Sequence, residues 1–121
     1  MRRYNPWRKV RHAVNGLVHA MRHDVSVAYK IPVSVVVVAA SIVFARWVDL
    51  ILVVVVTGQA LAAELFNSAL ERLCDFVEER QDPRIGLIKD IAATAAGIMI
   101  VIWAAVVIYE YINFIRLILR R

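Results

Sequence analysis

The chain lacks most of the residue patterns by which small enzymes are recognised. It has one cysteine, Cys74, which excludes a disulfide framework or a thiolate metal cluster and leaves a buried, inert thiol as the expected state. No serine stands in a nucleophile-elbow pattern and no GxxxxGK[ST] loop occurs, so any nucleotide is handled without a P-loop. Aromatic residues are few, 9% of the chain, and form no platform along a basic groove. The net charge of +5 therefore points to lipid headgroups rather than nucleic acid.

Apolar residues, by contrast, are abundant. They make up 61% of 121 residues, with a mean hydropathy of +0.65, more than a small water-soluble domain can cover. Three stretches are long enough to cross a bilayer as helices, about 31–47, 50–70 and 91–111. Their Val-rich runs would suit strands in water, but lipid requires backbone groups to be satisfied within each segment, and three segments cannot close a barrel. The expected fold is one all-α integral membrane domain over 1–121. The first span is short, about 22 Å of apolar helix from Ile31 to Ala45 at 1.5 Å per residue. Lys30 and Arg46 are expected to snorkel outward and extend it, and Pro32 to occupy its first helical turn. Arg46 to Asp49 then forms a tight connection, and Arg72 to Lys89 a water-facing loop.

Before the first span, residues about 6–24 place Trp7, Val10, Val14, Leu17 and Met21 at three- and four-residue steps. Arg8, Arg11, His12, Asn15, His19 and Arg22 fill the remaining circumference. This pattern predicts a basic amphipathic helix lying in the membrane interface. A transit or signal peptide fits less well, since no long apolar core with a cleavage site follows the basic region directly. On this helix His12, His19 and His23 are expected to face solvent or headgroups rather than a metal. Arg2, Arg3, Arg8, Lys9, Arg11, Arg22 and Lys30 place the N-terminal side in the cytoplasm. Arg116, Arg120 and Arg121 oppose that bias at the other end.

Glu64, Asn67, Glu71 and Asp75 fall within about 80° of one another on a helix, a polar stripe on an otherwise apolar segment. Charges beside a membrane span are costly and usually mark a site. Desolvation makes Glu64 a strong candidate for a general base acting on an alcohol. Glu71, with Asp24 at the end of the surface helix, supplies oxygen ligands of the kind Mg2+ takes together with water and phosphates. Lys89 is placed to neutralise phosphate charge, with Asp90 beside it, and Asn67 to orient a carboxylate or hydroxyl. These parts suit phosphoryl transfer to a lipid hydroxyl. Two plainer readings remain open on spacing alone. Polar stripes also glue membrane helices together, with Glu71 pairing to Arg72 or Lys89 and with Asp75, Glu78 and Glu79 as solvated charge. A small proton-coupled transporter or non-catalytic assembly subunit would use Glu64 as its titrating group.

The run Glu64-Leu65-Phe66-Asn67-Ser68-Ala69-Leu70-Glu71, then Asp75, then Lys89-Asp90 and the small-residue stretch Ala92 to Gly97, closely resembles the prokaryotic diacylglycerol kinase family, which includes the undecaprenol kinases. The family motif reads Glu-x-x-Asn-[Ser/Thr]-Ala-[Ile/Leu]-Glu-x-x-x-Asp. The resemblance implies a homotrimer of three-span subunits in the bacterial inner membrane that moves the γ-phosphate of MgATP to a lipid alcohol at the cytoplasmic face. It also implies a proposed base at Glu64, a metal ligand at Glu71, ATP contact at Lys89, active-site roles for Asn67, Asp75 and Asp90, and a loop glycine at Gly86. Gly16 matches a family glycine in the surface helix. The acceptor is expected to be diacylglycerol, narrowly ahead of undecaprenol. The family usually carries Glu at the end of the surface helix, then an aromatic and often Arg, where this chain has Asp24, Val27 and Ala28. Gln81 and Asp82 stand where some members have aromatic and His residues near the nucleotide base.

Overall fold

A computed structural model describes residues 5–44 and 46–120. Arg2, Arg3, Ala45 and Arg121, which entered the charge and span expectations, lie outside the described residues. The rest forms four helices: α1 Pro6–His23, α2 Val25–Val43, α3 Trp47–Val77 and α4 Pro83–Leu119. There are no strands among the described residues, and α2, α3 and α4 are each long and apolar enough to cross a membrane.

Local chemistry sets the helix ends. Asn5 caps α1 by accepting from the Trp7 backbone N–H at 3.1 Å, and Pro6 takes the first helical position, where no N–H is needed. One residue, Asp24, separates α1 from α2. Its extended backbone (φ −123°, ψ 105°) breaks the helix. Its N–H still reaches the Ala20 carbonyl at 2.7 Å, while its Oδ1 accepts from the Ser26 N–H at 3.0 Å to start α2. The second helix therefore begins six residues ahead of the expected span, and Pro32 lies inside it rather than in its first turn. The Ala28 carbonyl consequently lacks its usual helical donor.

Other boundaries move too. Trp47, expected at the end of the first span, opens α3 instead. Most of the expected loop at Arg72 to Lys89 is helical, since α3 runs to Val77 and α4 starts at Pro83 under an Asp82 cap. At 1.5 Å per residue, α3 and α4 are about 46 and 55 Å long, beyond the ~30 Å hydrocarbon layer. Their polar ends at Arg72–Asp75 and Lys89–Asp90 belong to these projections.

Helix α3 packs along both α2 and α4. The contacts Lys30–Glu64 and Ser34–Thr57 set α2 antiparallel to α3, and Thr57–Trp103 and Asp75–Lys89 set α3 antiparallel to α4. The α1–α2 junction, the end of α3 and the start of α4 thus gather at one end of the bundle. The core contains Val37, Val53, Val56, Ala60, Trp103, Val107 and Phe114. Within it, the Trp103 indole N–H donates to Ser34 Oγ and Thr57 Oγ1, both at 3.1 Å, and the two hydroxyls are 2.9 Å apart. This polar triad joins all three spans where lipid gives no hydrophobic drive for helix association. Long runs of Val and Ile elsewhere on the spans remain exposed.

Candidate active site

The carboxylate expected to stand alone in the apolar layer has a partner. Glu64 is 5% exposed and Lys30 is 0% exposed, and Lys30 Nζ lies 2.9 Å from Glu64 Oε1. Lys30 does not snorkel outward, because turning it toward solvent would leave Glu64 as an uncompensated buried charge. Helix α2 begins early enough to put Lys30 well inside its second turn, facing α3. Ser26, one turn earlier, donates its hydroxyl to the same Glu64 oxygen at 2.5 Å. The sequence reading missed both residues. A usable signal was present: Lys30 and Glu64 are opposite charges isolated on neighbouring antiparallel apolar helices.

One turn beyond Glu64, the Asn67 amide donates to Glu71 Oε1 at 3.2 Å. Its own Oδ1 is buried with no hydrogen-bond partner. Asp24 and Glu71 line a groove of about 790 Å³ between α1 and α3, with His19, Ser68 and Arg72. Ser68 Oγ donates to Asp24 Oδ2 at 2.8 Å, so both Asp24 oxygens already serve the helix junction. Each carboxylate oxygen has two acceptor positions, which leaves capacity for a cation. Among the described residues, no cluster of three or more His, Cys, Asp or Glu is arranged to hold a metal. Two carboxylates in one open groove, Asp24 and Glu71, are the kind of oxygen donors that fit Mg2+, which completes its shell with water and phosphate oxygens.

Arg72 does not pair with Glu71. Its Nη1 donates to His19 Nε2 at 2.8 Å, and His19 stacks on His23 with ring centroids 4.2 Å apart. Since Arg only donates, His19 carries its proton on Nδ1. The neighbouring His23, then slight desolvation, then Arg72 hold His19 below its ordinary value of 6.5. His19 therefore ties α1 to α3 through Arg72, while all three histidines remain exposed, as the sequence pattern predicts.

Asp75 is on α3, and Lys89 Nζ reaches its Oδ1 at 2.5 Å. Both residues, with Gly86, line a second depression of about 460 Å³ beneath the 78–82 connection. A Cβ added at Gly86 would meet nothing within 4 Å, so the packing of this chain does not itself demand glycine. Asp90 is exposed and lines neither depression, and Thr94 Oγ1 donates to its backbone carbonyl at 2.8 Å. Cys74 is buried and free, as expected.

The expected residues thus share one end of the bundle without meeting in one pocket. Glu64 is internal, Asp24 and Glu71 face the α1–α3 groove, and Lys89 and Gly86 face the connection, with Asp75 bordering both depressions. No curated protein and no solved structure matches the chain. A sequence model described as prokaryotic diacylglycerol kinase matches residues 11–111, from the second turn of α1 to the last turns of α4. The chain is therefore a multi-pass membrane lipid kinase that uses ATP, and it belongs to the prokaryotic diacylglycerol kinase family.

Proposed function

We propose that the protein transfers the γ-phosphate of MgATP to the hydroxyl of diacylglycerol, giving phosphatidic acid, with undecaprenol as the alternative acceptor. The observation that carries this reading is the graded series along α3. Glu64 is buried, Asn67 half-buried, and Glu71 and Asp75 exposed, over about 16 Å of helix. Such a series spans the distance from a hydroxyl at the edge of the lipid layer to a nucleotide in water.

Glu64 accepts the hydroxyl proton and Asn67 orients Glu71. Asp24 and Glu71 would hold Mg2+, which when bound neutralises charge on the transferring phosphates. Lys89 binds phosphate oxygens, Gly86 allows close approach of the nucleotide, and Asp75 and Asp90 position the lysine and its surroundings. The separation of these residues on one chain supports a site completed by a neighbouring subunit, and we assign a homotrimer whose exposed Val and Ile faces meet one another and the lipid. The Arg and Lys residues of α1 support placing this end at the cytoplasmic face of the inner membrane.

The test is phosphate transfer from radiolabelled ATP in mixed micelles, with diacylglycerol and undecaprenol offered separately to wild type and Glu64→Gln. Wild type should label one lipid strongly, and the variant should fold but retain only a small residual rate. Folded, assembled protein that labels neither lipid would overturn the reading and favour the transporter or assembly role for Glu64.

A further inference from the structure

Lys30 uses its ammonium fully. It donates to Glu64 Oε1 at 2.9 Å, to Ser26 Oγ at 2.6 Å and to the Ser26 carbonyl at 2.8 Å, matching its three donors. The Tyr29 ring centroid lies 4.6 Å from Nζ and that of Trp103 5.7 Å. Both donors that reach Glu64, Lys30 Nζ and Ser26 Oγ, bind Oε1. Oε2 receives neither. Stability alone is a poor explanation of this arrangement, since buried ion pairs are often no better than apolar side chains of similar volume. A carboxylate held by one oxygen with the other open is, however, what a directed proton acceptor requires.

We propose that Lys30 is a positioning residue for phosphoryl transfer, clamping Glu64 Oε1 together with Ser26 so that Oε2 is aimed at the acceptor hydroxyl. The inference rests on the reading of Glu64 as the base. As the alcohol oxygen bonds to the γ-phosphorus, its proton passes to Glu64 Oε2. The bond from the γ-phosphorus to the β,γ-bridging oxygen breaks, and its electron pair leaves with ADP. Lys30 remains an ammonium throughout, and the proton later leaves Glu64 for water. Lys30 touches no reacting atom. Its contribution is to pair the carboxylate and fix its rotamer in an apolar layer, where an unpaired ion is strongly disfavoured.

The experiment measures kcat and the KM for ATP of full-length protein in mixed micelles for Lys30→Met, Lys30→Arg, Ser26→Ala, Glu64→Gln and Lys30→Met/Glu64→Gln. Lys30→Met should lower kcat about 100-fold or more with KM for ATP within about threefold, the signature of a lost positioning contact. Lys30→Arg should recover at least about tenfold of that loss, because it keeps the cation. On the residual rate of Glu64→Gln, the added Lys30→Met change should cost less than about threefold. Ser26→Ala leaves the ion pair intact and tests the clamp even if Lys30→Met fails to fold; it should lower kcat about fivefold at unchanged KM, the loss of one hydrogen bond. An unaltered kcat in Ser26→Ala, or in folded Lys30→Met, overturns the clamp. So does an equal cost of Lys30→Met with and without Glu64. Wild-type turnover by Glu64→Gln would instead remove the base itself, a failure separable from that of the clamp.

Discussion

Replacing Lys89 by methionine separates a structural lysine from a phosphate-binding one by magnitude. Lys89 and Asp75 are in contact at 2.5 Å, but their side chains are 33% and 66% exposed. An ion pair so open to water contributes about 0–1 kcal/mol, and methionine keeps most of the apolar stem. The unfolding free energy should therefore fall by less than about 1 kcal/mol. An ammonium on a phosphate oxygen is a charge-assisted contact worth about 1.5–3 kcal/mol. Its loss should lower kcat/KM for ATP about 10- to 150-fold. The two effects are read separately, by denaturant unfolding in micelles and by phosphate transfer at varied ATP. Asp75→Asn releases Lys89 from its partner and should change stability equally little, so it reports how much the carboxylate steers the ammonium. If Lys89→Met costs more than about 2 kcal/mol of stability, the pair is structural in a way its exposure does not explain. Unchanged kcat/KM in folded Lys89→Met protein would refute the phosphate role.

Trp103→Phe removes two interhelical hydrogen bonds, which average about 0.6 kcal/mol each in membranes, and leaves a smaller ring in the core. The expected cost in an unfolding titration is about 1–3 kcal/mol, and Ser34→Ala should add little to it. His19 titrates below its usual 6.5, chiefly through His23, and accepts from Arg72 only while neutral. The contribution of this contact to α1 docking is therefore complete above the unfolded-state value and is lost as pH falls through the lower folded value. A distance probe between α1 and α3 should show separation on acidification, and His19→Gln should abolish that pH response. Glu71→Gln should raise the Mg2+ concentration for half-maximal activity about tenfold or more. Asp24→Asn should do likewise while preserving the start of α2, since Asn caps a helix as well as Asp.

Much of this architecture is legible in the residues because lipid leaves few choices. Apolar runs of sufficient length must be helices, and the Trp7–Met21 periodicity marks α1 without reference to anything else in the chain. The Asn67–Glu71 contact is likewise local, a four-residue step along one helix face. What the linear pattern misread depends on partners distant in sequence. Lys30 looks like a flanking cation because it precedes an apolar run; only the approach of α3, 34 residues onward, turns it inward. The helical reach of α3 to Val77 was obscured by Glu71, Arg72 and Asp75, charges that suit a loop in a membrane-length estimate but sit comfortably on a helix projecting into water. The division of site residues between two depressions was hidden for a related reason. Spacing shows which residues share a helix face, whereas a pocket needs the opposing wall.

The junction at Asp24 makes the surface helix a lever. A single extended residue joins α1 to α2, so any change in the angle of α1 has its fulcrum at the carboxylate that lines the α1–α3 groove with Glu71. A change in the angle between α1 and α2 would therefore alter the spacing of two candidate metal ligands, Asp24 and Glu71.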